Sequence, residues 1–365
     1  MIQSGAKNTP MVIIIIIGLS TVILCTPIQS YQQQSQLSSS SELILSTRHF
    51  FDTFSGFMTP RGQQHSAAVA NFQLDEQNCP KDLAIYVHGV WAEEPEAVEQ
   101  YERVKGSYQL ALNSMGQNAQ PMPIALYSWD SNTQIDILGL GWDTAKDIAD
   151  GNGQFLANSL IKLNNDCSSH MGIDIIAHSL GARVVLSALR ELGTTNLKIN
   201  TVHLMGSAVD NEEISMNASD THDSLYDDDL VYGDAIANHV TKFYNLFDPE
   251  DDRLQNGREP YEYYPLYEND TALGSKGAQL GIVRPSNYTE MNVINEIPRN
   301  TSINFADADG DGVCDLEELG YPCQIQSVGD NHRGYMGFRD STTKHIVDDG
   351  VMDIIATNWL QARFM

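Results

Sequence analysis

At 365 residues, 42% of them hydrophobic, the chain carries enough apolar material for one large buried core or two smaller ones, which excludes intrinsic disorder as its general state. Its 48 acidic against 21 basic residues give a net charge of −27, so a cationic face able to neutralise phosphates is lacking and the expectation is no nucleic-acid partner. The same acidity suits solubility, cation binding or a saline habitat, and charge does not choose among them.

The first 30 residues read as a signal peptide or N-terminal anchor. Lys7 is the one cation, an uncharged and mostly apolar run extends from Met11 to Leu24, and Ile28-Gln29-Ser30 ends on a small residue suited to cleavage. The run is shorter than the roughly 18 apolar residues that a membrane span wants. A secreted or cell-surface protein is therefore expected, with membrane attachment only if this segment stays uncleaved. Residues 31–45, rich in Gln and Ser as far as Ser41, read as a flexible linker, and a folded domain is expected over 46–365.

Strand and helix signals then alternate. Leu83–Val87 (LAIYV) is a short apolar run, hence a buried strand that delivers the loop His88-Gly89. Glu93–Leu112 has helical spacing, Ile124–Tyr127 is a second strand, and Thr144–Leu163 is a helix despite Gly151 and Gly153. Ile173–Ala177 is a third strand, followed by a helix over Arg183–Leu192, strands over Thr201–Met205 and Lys242–Phe247, and a closing helix over Asp349–Leu360. This order predicts an α/β fold, a mostly parallel sheet with helices on both faces. Residues 211–240, with Asp227-Asp228-Asp229, read as a polar insertion, either a solvated loop or a lid over a site.

The stretch from Ile173 to Gly181 is a strand, a sharp turn Ala177-His178-Ser179-Leu180-Gly181, and the start of a helix. It resembles the nucleophile elbow of α/β-hydrolases, with Ala177 in place of the usual first glycine. Small residues two positions either side of Ser179 let the chain turn without collision, and the helix behind points its positive end at developing negative charge. The backbone N–H of Leu180 and that of Val90 or Trp91, in the loop after the first strand, are the expected oxyanion donors. His88 reads as a structural histidine beneath that loop, and His178, adjacent to the nucleophile, is set aside as base.

A serine nucleophile needs a histidine base, and the base needs a carboxylate to hold its tautomer. Asp248, Asp251 and Asp252 share the loop after Lys242–Phe247, Asp210 follows an earlier strand, and only His332 and His345 lie beyond that loop. His332 sits in a glycine-bounded loop, which suits reaching back over a sheet edge, whereas His345 reads as surface. Asp251-x-x-Leu254, Ala272-Leu273-Gly274-x-x-Gly277 and His332-x-x-Tyr335, with the elbow, resemble an uncharacterised group of α/β-hydrolases related to lipases and esterases, from about Leu83 to Phe338. The resemblance implies Asp251 as the acid, Asp248 as runner-up and Asp210 as third choice. It also implies that the strands after Cys79 and Cys167 are neighbours starting at one sheet edge. Of the three pairings open to Cys79, Cys167, Cys314 and Cys323, that favours Cys79–Cys167 with Cys314–Cys323.

Asp307-Ala308-Asp309-Gly310-Asp311-Gly312-Val313-Cys314-Asp315-Leu316-Glu317-Glu318 matches the twelve-residue EF-hand loop at each polar position. Asp307, Asp309, Asp311, the Val313 carbonyl, Asp315 and Glu318 are the expected ligands of one structural Ca²⁺; no cofactor is expected for the chemistry. Pro298-Arg299-Asn300-Thr301 supplies no entering helix, so a solitary extracellular-type loop is expected. Sequons at Asn217, Asn269, Asn287 and Asn300 suit an exported glycoprotein. The combined expectation is an exported serine hydrolase acting on a small-molecule or lipid ester. The alternative is a calcium-dependent surface or binding protein on an inactive hydrolase fold.

Overall fold

The computed structural model describes residues 42–51, 65–117, 121–133, 140–168, 170–221, 230–251, 253–254, 271–297, 331–340, 343 and 345–363. Their elements in chain order are β1 Leu43–Ser46, β2 Val69–Ala70, β3 Asp82–Val87, α1 Glu94–Ser114, β4 Ile124–Ser128, α2 Leu140–Asp166, β5 Gly172–His178, α3 Gly181–Glu191, β6 Ile199–Met205, α4 Gly233–His239, β7 Val240–Phe247, α5 Leu273–Lys276, β8 Tyr288–Asn292, α6 Asn331–Gly334, β9 Phe338–Arg339, β10 Ile346–Asp348 and α7 Met352–Arg363.

The central strands are apolar on both faces, so they need cover on both sides, and a parallel sheet with crossover helices provides it. Eight strands lie in the order β2-β1-β4-β3-β5-β6-β7-β8. Only β2 runs antiparallel to its neighbour; β1 and β3–β8 pair in parallel. This is the α/β-hydrolase architecture expected from the sequence. Along β5, side chains alternate: Ile173, Ile175 and Ala177 join the core under α2 and α3, while Ile176 joins the core under α1 and α7. The same period sends Asp174 and His178 toward the α1/α7 side.

Each predicted strand and long helix is present, with ends moved by a few residues. Helix α1 starts at a capping arrangement in which the Glu93 N–H donates to Glu96 Oε2 at 2.9 Å. The sequence reading fails at the margins. The linker expected through residue 45 ends earlier, because Leu43–Ser46 forms β1 and pairs with β4. Strand β8, YTEMN, lies at the sheet edge with no buried residue, so it carries no alternating apolar pattern to read.

The solvated-loop reading of 211–240 is corrected for its beginning. Asn211, Glu212, Glu213, Ile214 and Ser215 are buried. Arg183 on α3 explains how Glu213 tolerates this: its Nη1 donates to Glu213 Oε1 at 3.1 Å and its Nε to Asp150 Oδ2 at 3.1 Å. A cation shared between two carboxylates offsets part of the desolvation that each would suffer alone. Residues 222–229, including Asp227-Asp228-Asp229, lie outside the described residues.

A polar chain crosses the α1/α7 face. Thr201 Oγ1 donates to Asp174 Oδ1 at 2.6 Å and accepts the Trp359 Nε1–H at 2.9 Å, and the Asn358 amide donates to His203 Nε2 at 3.2 Å. Burial pushes Asp174 up to about 6 and His203 down to about 3, each toward its neutral form.

The disulfide Cys79–Cys167 is present, with Cα atoms 5.7 Å apart. It joins the chain ahead of β3 to the chain ahead of β5, the neighbouring strands that the resemblance implied. Cys314, Cys323, residues 1–30 and the loop 307–318 fall outside the described residues. Among the described residues no helix is long and apolar enough to cross a membrane.

Candidate active site

Strand register builds the site before any side chain is considered. Val87 at the end of β3 lies opposite Ala177 on β5, and His178 lies opposite Met205 at the end of β6. The loops leaving these strands therefore emerge side by side at the carboxyl edge, where open α/β sheets carry their ligands.

Ser179 occupies the turn from β5 into α3 with φ +55°, the left-handed region that is uncommon for a residue with a side chain. The backbone holds it: Ser179 N–H donates to Met205 O at 3.1 Å, and Ser179 O accepts from Ala182 N–H and Ala208 N–H. Gly181 lets α3 begin directly against β3, since a Cβ there would lie 2.6 Å from both Val87 O and His88 O. The small-residue requirement inferred from the sequence thus has a named cause on the helix side. On the strand side Ala177 is fully buried and accommodated.

The loop after β3 closes over the elbow. Trp91, with φ +54°, donates its backbone N–H to Ser131 O at 2.9 Å. Of the two residues expected to offer an oxyanion donor there, Trp91 is thereby removed: its N–H already has an acceptor. The N–H groups of Val90 and Leu180 meet no acceptor among the described residues.

His88 is fully buried beneath this loop. Its Nε2 accepts the Trp129 N–H at 3.2 Å and lies 3.1 Å from Arg48 Nη2, so its Nδ1 carries the proton and donates to Gly89 O at 2.8 Å. Burial, followed by the Arg48 charge, pushes His88 well below the usual histidine range. It is a neutral pillar of the loop, as the sequence suggested.

Asp251 and His332, 81 residues apart, come together: His332 Nδ1–H donates to Asp251 Oδ2 at 2.8 Å. The other carboxylate oxygen, Asp251 Oδ1, accepts the Arg253 N–H at 3.1 Å and the Leu254 N–H at 3.2 Å, which aims the carboxylate. These local bonds are the physical content of the Asp251-x-x-Leu254 step. Asp248, the runner-up, uses Oδ1 to accept the Glu250 N–H at 2.9 Å and so shapes the turn; Asp210 sits in a bridge with Ala272. His345 is exposed ahead of β10. With Nδ1 donating, the neutral His332 ring presents Nε2 as its unprotonated nitrogen.

The dyad is moored to the elbow. His178 Nε2–H donates to His332 O at 2.6 Å, and the two rings lie 4.7 Å apart. Tyr335, three residues past His332, is fully buried with its hydroxyl 3.4 Å from Gly274 O. Burial, then the Asp251 and Asp248 carboxylates, pushes its phenol well above the usual tyrosine range. Tyr335 has a place in the pattern His332-x-x-Tyr335 and His178 had no role there; neither contact has a sequence signal beyond adjacency to the motif.

Comparison with known proteins fits this architecture. Residues 65–253, just over half of the 365-residue chain, match the model of a family described as alpha/beta hydrolase of unknown function, DUF900. The chain belongs to this alpha/beta hydrolase family. No curated protein matches it in sequence. Among solved structures it is similar to Aspergillus fumigatus lipase B, at 11% identity over 76% of this chain and a TM-score of 0.36. It spans 62% of that lipase's length. It is also similar to an acetylxylan esterase, at 11% identity over 78% of this chain and 99% of the esterase, with a TM-score of 0.34. Likenesses this distant bear on neither substrate nor mechanism. Among the described residues no group of three His, Cys, Asp or Glu side chains gathers as a metal site, and the candidate ligands Asp307 to Glu318 lie outside them.

Proposed function

We propose that this alpha/beta hydrolase is an exported serine hydrolase that cleaves carboxylic esters through an acyl-enzyme. The observation that carries the reading is the 2.8 Å bond from His332 Nδ1 to a doubly anchored Asp251, moored by His178 beside a serine held at φ +55°. Ser179 Oγ attacks the ester carbonyl carbon while His332 Nε2 takes its proton, and Asp251 stabilises the imidazolium. The N–H groups of Leu180 and Val90 receive the oxyanion. As the tetrahedral adduct collapses, His332 returns the proton to the departing alcohol oxygen. Water, deprotonated by His332, then attacks the Ser179 acyl ester, and the acid leaves with Ser179 restored. The substrate class is a small-molecule or lipid ester.

The loop Asp307 to Glu318 belongs to the same reading as a structural Ca²⁺ site, since its hard carboxylate oxygens and the Val313 carbonyl suit that ion. Bound Ca²⁺ would supply charge neutralisation within this segment, and the reaction steps above use only the chain's own groups.

A fluorophosphonate probe tests the proposal. The wild type should label at Ser179 and Ser179→Ala should not. A wild type that stays unlabelled while hydrolysing no p-nitrophenyl ester would overturn the enzyme reading and favour a binding role for the fold.

A further inference from the structure

Ester hydrolysis as proposed above assigns no task to His178, yet its side chain bonds the backbone carbonyl of His332, the residue read as the base. We infer that His178 is the positioning residue of the site: its Nε2–H fixes the backbone of His332 and thereby the reach of the base toward Ser179. This inference rests on the Ser179–His332–Asp251 reading.

The period of β5 sets the direction of the His178 side chain. Ile176 is on the α1/α7 side, so His178, two residues on, faces that side as well, where Tyr335 and Met336 are buried. Ser179 leaves the strand in the left-handed region, with its Cβ against Gly89, while the Nε2 edge of the His178 ring meets the segment carrying His332. A carbonyl oxygen only accepts, so a nitrogen 2.6 Å from His332 O must carry the hydrogen; His178 is therefore protonated at Nε2. The opposite edge of its ring is turned to Gly89, with Nδ1 3.3 Å from where a Cβ on that glycine would lie. This geometry leaves His178 unsuited to act as the base.

Helix α6, which carries His332, is a single turn of four residues, too short to hold its own carbonyls by intrahelical bonds. Its position must come from tertiary contacts. The Asp251 bond orients the imidazole about its own axis, and the His178 bond fixes the peptide from which that imidazole hangs. Together the two bonds set both the direction and the distance of His332 Nε2. Both histidines are nearly buried, at 4% and 9% exposure, so water does not readily substitute for the His178 donor.

Three readouts test the inference. In His178→Leu, kcat for p-nitrophenyl acetate should fall by about 10- to 100-fold, the scale of a displacement of about 1 Å, while KM changes by less than about threefold. His178→Gln, whose amide N–H reaches nearly as far as an imidazole Nε2, should recover most of kcat. In ¹⁵N-histidine NMR of the wild type, the His178 Nε2 should be protonated at neutral pH with a slowly exchanging hydrogen. Equal kcat in His178→Leu and wild type, or equal losses in Leu and Gln, would overturn the inference, and so would an unprotonated His178 Nε2. The NMR readout decides the matter even where the leucine variant does not fold. A wild type inert to the fluorophosphonate probe would instead remove the hydrolase reading itself, whereas a labelled wild type with an indifferent His178→Leu removes only the positioning role.

Discussion

Gly89 faces Ser179 across a gap that admits no side chain: a Cβ on Gly89 would lie 2.8 Å from the Ser179 Cβ, well inside van der Waals contact. The loop that carries the Val90 N–H can approach Ser179 only because this residue is glycine. Gly89→Ala should therefore push the loop away from Ser179 and weaken the oxyanion donor. Turnover is expected to drop on the order of 10²-fold, as when one such donor is lost, with the far-ultraviolet circular dichroism unchanged. Full kcat in a folded Gly89→Ala would show that the loop takes no part.

Asp251→Asn should lower turnover by about 10⁴-fold, because the amide holds the imidazole in the wrong tautomer. Asp248→Asn should affect turnover far less, since Asp248 Oδ1 serves the turn through the Glu250 N–H while Asp251 Oδ2 takes the His332 Nδ1–H. Steady-state kinetics on the two variants gives the ranking; the opposite order would move the acid to Asp248.

The disulfide and the candidate nucleophile sit at opposite ends of β5. Replacing Cys79 and Cys167 together by Ser should lower unfolding free energy by about 2–4 kcal/mol in urea, the usual scale for a bridge closing a long loop. kcat measured well below the melting temperature should hold. A parallel loss of kcat would show that the strand edge transmits strain to the elbow.

Asp174 and His203 bias acid stability in opposite senses. His203 titrates near 3 in the fold against an ordinary 6.5, so its contribution is fully present above 6.5 and is lost as pH falls from there toward 3. Asp174 titrates near 6 against 3.8, so the fold binds the extra proton and gains stability as pH falls from 6 toward 3.8. Between those limits the two slopes, each about 1.4 kcal/mol per pH unit at most, oppose one another. Asp174→Asn removes one of them. Relative to wild type, the variant should gain stability between pH 4 and pH 7, read as a widening difference in urea midpoints; a difference constant across that range would refute the assignment.

Chelation tests the loop 307–318. If it holds Ca²⁺ with the modest affinity of extracellular sites, about 10⁻⁴–10⁻³ M, then EDTA should lower the melting temperature, and Asp309→Ala with Glu318→Gln should reproduce the effect. Unchanged melting together with absence of calcium by elemental analysis would leave the segment a plain acidic turn.

What the sequence determined by itself was whatever depends on local pattern. The apolar runs LAIYV and IDIIA, each followed by small residues, define buried strands delivering sharp loops, because only a strand covered on both faces tolerates such runs. The elbow at Ser179 follows from the need for small residues at a strand-to-helix turn, whereas the Asp251-x-x-Leu254 step came only from the family resemblance, and its loop-capping bonds belong to the structure. Strand β1 and the edge strand β8 were not legible, since short or half-exposed strands carry no periodicity of their own; the polarity of 211–215 concealed a buried segment because its counter-ion, Arg183, lies about thirty residues away. Tertiary structure alone decided which oxyanion-loop N–H remains available, since Ser131 O takes that of Trp91, and which aspartate meets His332. It alone gave His178 a partner 154 residues distant. These are pairings across the sheet edge, and a pairing of that kind is written in strand register and loop packing, neither of which any single stretch of sequence contains.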